Sequence, residues 1–291
     1  MDPVVAEKDF RERLRGYEKA YEPLDEERDE SLAFIQSIDV GDRVIANRIE
    51  GSLAAQIVFY LMQMHIGSRR IWLTRHGQST FNLDDRIGGD PRLTDRGIEY
   101  SRRLGHFLAE RDPEGLQVWT STLVRTICTA SFLDNDDRFA GVQMHSLPAL
   151  NELKAGVADG LTYAEVERLY PDMHKKREVN KLRFRNKDGG ESYHDMMVRL
   201  EPIIFELERQ REDVLVIAHR GSLRALYGYF LECSQDEVPY IDMPLDTVIE
   251  LNVTAYGLTE TRYNLFPEGD KMKPRKRSTK GSSQDEDAAP E

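Results

Sequence analysis

Cysteine is scarce in this sequence: 291 residues contain only Cys128 and Cys233, far apart and without a CxxC or His-rich spacing. The scarcity excludes a disulfide framework, offers no zinc-ligand pattern, and favours a reducing, cytoplasmic location. Long apolar runs are also missing, since the most apolar run, IVFYLMQMHI, is too short to cross a bilayer. We therefore expect a soluble protein without membrane contact, targeting segment or metal.

Positive charge is in deficit. The chain has 40 Lys and Arg against 52 Asp and Glu, a net charge of -12, which argues against a general binder of nucleic acid or anionic membrane. Hydrophobic residues make up 40% of the sequence, enough to bury a core. We expect a globular protein in which any basic site is local.

Short apolar runs alternate with helical segments from about residue 70 onward. The runs are IWLT, QVWT, VQMHSL and VLVIAH, and the helical segments include GIEYSRRLGHFLAER, LVRTICTASFL and SLRALYGYFLE. This alternation predicts an α/β fold of three layers, a mostly parallel central sheet with helices on both faces.

The two ends of the chain have other patterns. Residues 1 to 32 predict a charged helix, DRVIANRI a short strand, and SLAAQIVFYLMQMH a helix whose apolar face includes Leu53, Ile57, Tyr60, Leu61 and Met64. From Pro267 to Glu291 large apolar residues are almost absent, so this tail is expected to be disordered.

Histidines follow two of the predicted strands. His76 comes after IWLTR and His219 after VLVIA, and ligands of open α/β folds bind beyond the carboxyl ends of such strands. Arg75 precedes His76, and Arg125 begins the helix after QVWT; arginine forks match phosphate oxygens. These residues predict phosphoryl transfer through a histidine without a metal.

Cleavage of a phosphate ester also needs an acid for the departing oxygen. Glu152 follows the strand VQMHSL in a loop near two glycines and is the candidate. Taken alone, this residue would be an ordinary surface carboxylate.

Five motifs occur in the order found in the histidine phosphatase superfamily, which also contains the cofactor-dependent phosphoglycerate mutases. They are RHGQSTFN, TSTLVRTICTA, LNELKAG, GGESY and VIAHRGSLR. FNLDDRIGGDPRLTDRG, LTYAEVERLYP and VPYIDMPLDTVIEL further resemble the bisphosphatase half of the 6-phosphofructo-2-kinase/fructose-2,6-bisphosphatase family, over about residues 70 to 265.

The resemblance implies hydrolysis of the 2-phosphate of fructose 2,6-bisphosphate without a cofactor. His76 would be the nucleophile, Glu152 the acid, and His219, Arg75, Arg125 and Asn82 would bind the transferring phosphoryl group. The resemblance assigns the 6-phosphate and the sugar to Ile87, Gly88, Tyr163, Arg177, Lys181, Tyr193, Arg220 and Arg224. The alternatives are a phosphatase for another sugar phosphate, or a catalytically weak remnant that binds a phosphosugar and regulates.

Two positions depart from the family pattern. Gln78 stands where the bisphosphatases usually have Glu, and Arg220 where they generally have Gln. Arginine keeps hydrogen-bond donors and adds charge, so Arg220 is expected to affect phosphate binding, product release or the choice of sugar phosphate.

The segment before residue 68 resembles the carboxyl-terminal end of the kinase half. The chain has no Gly-Lys dipeptide and so lacks the glycine-rich phosphate loop of such kinases, and we expect no kinase activity. We divide the chain into a kinase remnant at 1–67, a bisphosphatase domain at 68–265 and a disordered charged tail at 266–291. The apolar helix of the remnant is expected to pack on the phosphatase or to associate with a second copy as a homodimer.

Overall fold

The computed structural model describes residues 3–25, 27–38, 43–63, 68–113, 115–254, 257–266 and 277–278. The chain divides into two compact units, Met1–Met64 and His65–Glu291.

In the residues described, the first unit contains two helices and a two-stranded sheet. In chain order these are α1 (Pro3–Ala20), β1 (Phe34–Ile38), β2 (Arg43–Asn47) and α2 (Ser52–Gln63). The two strands pair antiparallel, from Phe34 with Asn47 to Ile38 with Arg43. Helix α2 has the predicted apolar residues, and Leu53 and Tyr60 are exposed on it. Met64, also predicted for this face, lies outside the part of the chain that the structure describes.

The second unit is built on one mixed sheet. Its strands are β3 (Arg69–Arg75), β4 (Gln117–Thr120), β5 (Gln143–Ser146), β6 (Val214–Ala218), β7 (Thr247–Thr254), β8 (Gly257–Asn264) and β9 (Arg277–Ser278). Their spatial order is β5-β4-β6-β3-β7-β8-β9. Strands β5, β4, β6 and β3 pair in parallel, and β7, β8 and β9 extend the sheet antiparallel. Strand β8 follows β7 after two residues, too few for the crossover that a parallel pairing needs.

Helices cover both faces of this sheet. They are α3 (Thr80–Leu83), α4 (Asp95–Ala109), α5 (Val124–Thr129), α6 (Phe132–Asn135), α7 (Tyr163–Leu169), α8 (Pro171–Val179), α9 (Tyr193–Arg209) and α10 (Arg220–Phe230). Side chains alternate along β3, so Leu73 packs in the cluster that includes Leu200 of α9, while Trp72 packs in the cluster that includes Tyr100 of α4. The predicted α/β fold with helices on both faces is therefore confirmed.

The tail predicted for 266–291 is described only at Phe266 and in the two residues of β9; the rest lies outside the described residues. Among the helices that the structure describes, none has the length and apolar character needed to cross a membrane.

Candidate active site

The two predicted strand-end histidines lie side by side. Strands β3 and β6 are parallel neighbours whose register ends at the pair Arg75 and Ala218. His76 and His219 come next, and the His76 backbone N–H donates to the Ala218 carbonyl oxygen over 3.0 Å. Their rings, both buried, have centroids 5.3 Å apart. The parallel register thus brings together two residues that are far apart in the sequence.

Backbone contacts fix the ring of His76. Its Nδ1 lies 2.8 Å from the Gly77 carbonyl oxygen, which can only accept, so Nδ1 carries the hydrogen and Nε2 keeps its lone pair. The Gly77 N–H donates to the Thr129 hydroxyl over 2.9 Å. A Cβ at Gly77 would lie 2.5 Å from the Gly97 carbonyl oxygen, so this position requires glycine. Nε2 is therefore the nitrogen of His76 available to attack phosphorus.

Burial and neighbouring cations keep both histidines neutral. Loss of hydration, then the positive charges of Arg125 and Arg75, hold the pKa of His76 well below 6.5. Burial and Arg125 likewise lower the pKa of His219. A neutral imidazole is the form that acts as a nucleophile.

We predict that His76 and His219 stay unprotonated as the pH falls through 6.5, the ordinary pKa of histidine. Because the lowered pKa values lie below 6.5, the unfolded chain binds more protons in that window and the protein loses stability as the pH falls. Imidazole ¹⁵N spectra recorded against pH measure the protonation of each ring directly. Half-protonation of either ring at or above pH 6.5 would contradict the prediction.

The two predicted arginines are buried beside the histidines. Arg75 donates from Nη1 to the Met243 carbonyl oxygen over 3.1 Å, and Arg125 donates to the Gly89 carbonyl oxygen over 2.7 Å. Burial, followed by the charge of Arg220, lowers the pKa of Arg75 to about 10, so it remains charged at neutral pH. Burial also lowers the pKa of Arg125, although Glu152 and Asp90 oppose this shift. The site therefore holds two poorly hydrated positive charges that favour an anion.

Ser121 is a site residue that the sequence analysis missed. It directly follows β4, the strand beside β6, and its hydroxyl lies 2.8 Å from His219 Nε2. The same hydroxyl lies 2.8 Å from the Thr126 hydroxyl. Ser121 follows a predicted strand, as the two histidines do, but a serine in that position is too common to stand out.

Glu152 reaches the same region from its loop. Its Oε1 accepts the backbone N–H groups of Leu153, over 2.9 Å, and Gly221, over 3.0 Å. A Cβ at Gly221 would lie 2.5 Å from that oxygen, so a side chain there would displace the carboxylate. The charge of Glu152 raises the pKa of both Arg75 and Arg125. The predicted acid is therefore close to the predicted phosphoryl site.

Asn82 lies on α3, the short helix that follows His76. Its Oδ1 accepts from the backbone N–H and the hydroxyl of Ser79, over 2.9 and 3.0 Å. Since the oxygen is engaged, the amide NH₂ is the group of Asn82 left to donate to a ligand. The side chain of Gln78 instead accepts a hydrogen bond from the Thr94 hydroxyl over 3.0 Å, and this contact stabilises the segment after His76.

A second group of cations consists of Arg177, Lys181 and Arg224, three of the predicted 6-phosphate residues. Arg224 donates to the Tyr193 hydroxyl over 2.9 Å, and the Arg177 guanidinium lies 5.9 Å from the centre of the Tyr163 ring. Partial burial and the charges of Arg177 and Arg224 lower the pKa of Lys181.

The exposed Arg220 connects the two cation groups electrostatically. Its charge lowers the pKa of Arg75 in the first group and of Lys181 in the second. Arg224 acts on both residues in the same way. The structure therefore brings the two predicted phosphate sites into one electrostatic neighbourhood.

Ile87 and Gly88 lie in a loop tied to Arg125. The Ile87 N–H donates to the Leu161 carbonyl oxygen over 2.8 Å, and Gly88 has φ +72°. The next residue, Gly89, accepts from Arg125. This loop therefore connects Arg125, at the predicted phosphoryl site, to the segment that precedes Tyr163.

Comparisons with known proteins agree with these observations. A profile of the histidine phosphatase superfamily (branch 1) matches residues 71–265, and a profile of 6-phosphofructo-2-kinase matches residues 1–68. Fructose-2,6-bisphosphatase of Saccharomyces cerevisiae is 45% identical over 262 residues, 90% of this chain and 56% of that protein. The 6-phosphofructo-2-kinase/fructose-2,6-bisphosphatase of Gallus gallus is 45% identical over 255 residues, 88% of this chain and 52% of that protein. The chain thus spans about half the length of the curated relatives it matches.

Solved structures support the fold. The alpha-ribazole phosphatase of Shigella flexneri aligns with a TM-score of 0.59 at 23% identity, covering 67% of this chain and 96% of that one. A mycobacterial glucosyl-3-phosphoglycerate phosphatase aligns with a TM-score of 0.54 at 26% identity, covering 64% of this chain and 90% of that one.

Proposed function

This chain belongs to the histidine phosphatase superfamily, and on that basis we propose that it hydrolyses the 2-phosphate of fructose 2,6-bisphosphate through a phosphohistidine. The observation that carries the proposal is His76, whose Nδ1 is held by the Gly77 carbonyl oxygen and whose Nε2 keeps its lone pair. The names of the relatives at 45% identity supply the substrate.

The first step transfers the phosphoryl group to the enzyme. The Nε2 lone pair of His76 attacks phosphorus, the bond from phosphorus to the sugar oxygen breaks, and Glu152 in its protonated form gives that oxygen its proton. His219 and Arg75 stabilise the charge on the transferring oxygens. This role also falls to Arg125 and to the amide of Asn82.

The second step releases phosphate. The carboxylate of Glu152 takes a proton from a water molecule, the water oxygen attacks phosphorus, and the P–N bond returns its electron pair to Nε2 of His76. The products are fructose 6-phosphate and inorganic phosphate, and both His76 and Glu152 return to their starting states.

A bisphosphate needs a second anion site, for which we propose Arg177, Lys181 and Arg224. Tyr163, Tyr193 and Arg220 would complete the binding of the 6-phosphate, with Ile87 and Gly88 against the sugar. The charges of Arg177 and Arg224 lower the pKa of Lys181, which shows that the three cations lie close together. They concentrate positive potential in a protein of net charge -12, and this supports the assignment.

Comparison of several substrates tests the proposal. We expect kcat/KM to be highest for fructose 2,6-bisphosphate, with fructose 6-phosphate as the sugar product, when fructose 1,6-bisphosphate, fructose 6-phosphate and 3-phosphoglycerate are assayed in parallel. Equal phosphate release from all four would favour a broad phosphomonoesterase. Binding of fructose 2,6-bisphosphate without phosphate release would favour a regulatory remnant.

We also propose that residues 1–67 correspond to the carboxyl-terminal end of a kinase domain and that two copies associate through them. The match of residues 1–68 to the kinase profile supports the first point, and the exposed Leu53, Phe59 and Tyr60 of α2 support the second. Light scattering should give a dimer mass that falls to the monomer mass in a Phe59→Ser/Tyr60→Ser variant, and a monomer at high concentration would contradict it.

The scarcity of cysteine supports a cytoplasmic location.

A further inference from the structure

We propose that Arg199 and Glu191 form a clamp that positions Glu152, the acid of the reaction. Neither residue is itself placed at the phosphoryl site, so both are positioning residues. The inference rests on the proposed function, in which Glu152 protonates the leaving oxygen.

The guanidinium of Arg199, on α9, uses all five of its N–H donors. Nε and Nη2 each donate to a carboxylate oxygen of Glu191 over 2.8 Å. Nη1 donates to the Ala149 carbonyl oxygen, and both Nη1 and Nη2 donate to the Asn151 carbonyl oxygen over 3.2 Å. Only arginine offers five donors in this planar arrangement, and lysine would offer three from a single point.

Glu191 holds the loop on the other side of Glu152. Its backbone N–H donates to the Lys154 carbonyl oxygen over 2.9 Å, and the Lys154 N–H donates back to Glu191 Oε2 over 3.3 Å. Arg199 and Glu191 are largely buried, with 24% and 11% of their side chains exposed, so their ion pair is only partly screened by water. The loop is therefore gripped both before and after Glu152.

A third tie joins this loop to the second histidine. Asn151 Oδ1 accepts the backbone N–H and the hydroxyl of Thr122, both over 2.9 Å. Thr122 follows Ser121, whose hydroxyl contacts His219. With Arg199 on the Asn151 carbonyl and Thr122 on its side chain, Asn151 is fixed immediately before Glu152.

The position of Glu152 depends on these hydrogen bonds because its own side chain makes few. Its carboxylate accepts only the N–H groups of Leu153 and Gly221 among the described residues. Residues 151–155 form neither helix nor strand, so no ladder of backbone hydrogen bonds holds them. Proton transfer requires heavy atoms within about 2.6–3.2 Å, and a misplacement of about 1 Å can cost about 100-fold in rate. The clamp supplies this precision.

The dependence on the leaving group distinguishes a positioning role from general support of the fold. Fructose 2,6-bisphosphate releases an alkoxide that needs a proton, whereas p-nitrophenyl phosphate releases a weakly basic phenolate that does not. We expect Arg199→Lys to lower kcat/KM about 100-fold for fructose 2,6-bisphosphate. For p-nitrophenyl phosphate, whose release needs no acid, we expect a loss below about threefold.

Two comparisons complete the experiment. In a Glu152→Gln background, Arg199→Lys should add less than about a twofold loss for fructose 2,6-bisphosphate, because both changes remove the same proton transfer. Arg209→Lys, on the exposed end of α9 in a pair with Glu206, is the matched control and should leave both substrates unaffected. If Arg199→Lys fails to fold, Glu191→Gln keeps the shape of the side chain and should show the same selective loss.

The outcomes separate the clamp from the reaction itself. Equal losses on both substrates, or additive losses with Glu152→Gln, would overturn the clamp. A selective loss in Glu152→Gln without one in Arg199→Lys would overturn the clamp alone. Undiminished turnover of fructose 2,6-bisphosphate in Glu152→Gln would overturn both the clamp and the acid assigned in the proposed function.

Discussion

His76→Ala is expected to lower kcat for fructose 2,6-bisphosphate by about 10,000-fold or more, because it removes the nitrogen to which phosphorus must bond. Water cannot take over this role readily, because it is a weaker nucleophile than a neutral imidazole held beside phosphorus. The measurement is steady-state release of inorganic phosphate at saturating substrate.

His145→Ala provides the control for this prediction. His145 lies on the edge strand β5 with an exposed side chain, so its loss should leave kcat unchanged. The control should therefore keep the wild-type rate. If His76→Ala also kept more than a tenth of that rate, His76 would not be the nucleophile.

Arg75→Met is expected to lower kcat by about 1,000-fold, the size expected when a preorganised cation is removed from a transferring phosphoryl group. The effect should be large because Arg75 is buried, and its charge is little screened by water. Methionine preserves much of the side-chain volume, so the loss reports on the charge. Single-turnover kinetics of phosphate transfer to the enzyme give the measurement.

The control for Arg75→Met is Arg102→Met, at an exposed position on α4, where no loss is expected. A variant of Arg75 that raised KM and left kcat unchanged would show that the residue binds substrate and transition state equally. That result would remove Arg75 from the catalytic step.

The parallel half of the sheet could be predicted from sequence, and the antiparallel half could not. Strands β3, β4 and β6 are short apolar runs with helical segments between them, because they are buried on both faces. Strands β7 and β8 mix buried with half-buried positions, β8 also has exposed ones, and both carry several polar residues, so they lack that signal. The place of β7 beside β3 depends on pairing across about 180 residues, which no local pattern encodes, and β8 joins the sheet through β7.

The residues of the candidate site also differ in whether the sequence predicts them. His76 and His219 could be predicted because a histidine after an apolar strand is conspicuous and parallel strands end at one edge. Arg199 and Glu191 could not, because they hold backbone groups of a loop that lies 48 to 50 positions away from Arg199 and 37 from Glu191. Any residue offers a backbone carbonyl, so such contacts leave little trace in the sequence.

In the proposed reaction, phosphate leaves the sugar by way of a bond to Nε2 of His76. The most direct test is to mix the protein with fructose 2,6-bisphosphate radiolabelled at the 2-phosphate, quench within one turnover, and locate the label on the chain. The proposed reaction should give an acid-labile, base-stable phosphate on His76 that appears before free phosphate and is absent from His76→Ala. Full turnover without labelled protein, or unchanged labelling in that variant, would contradict it.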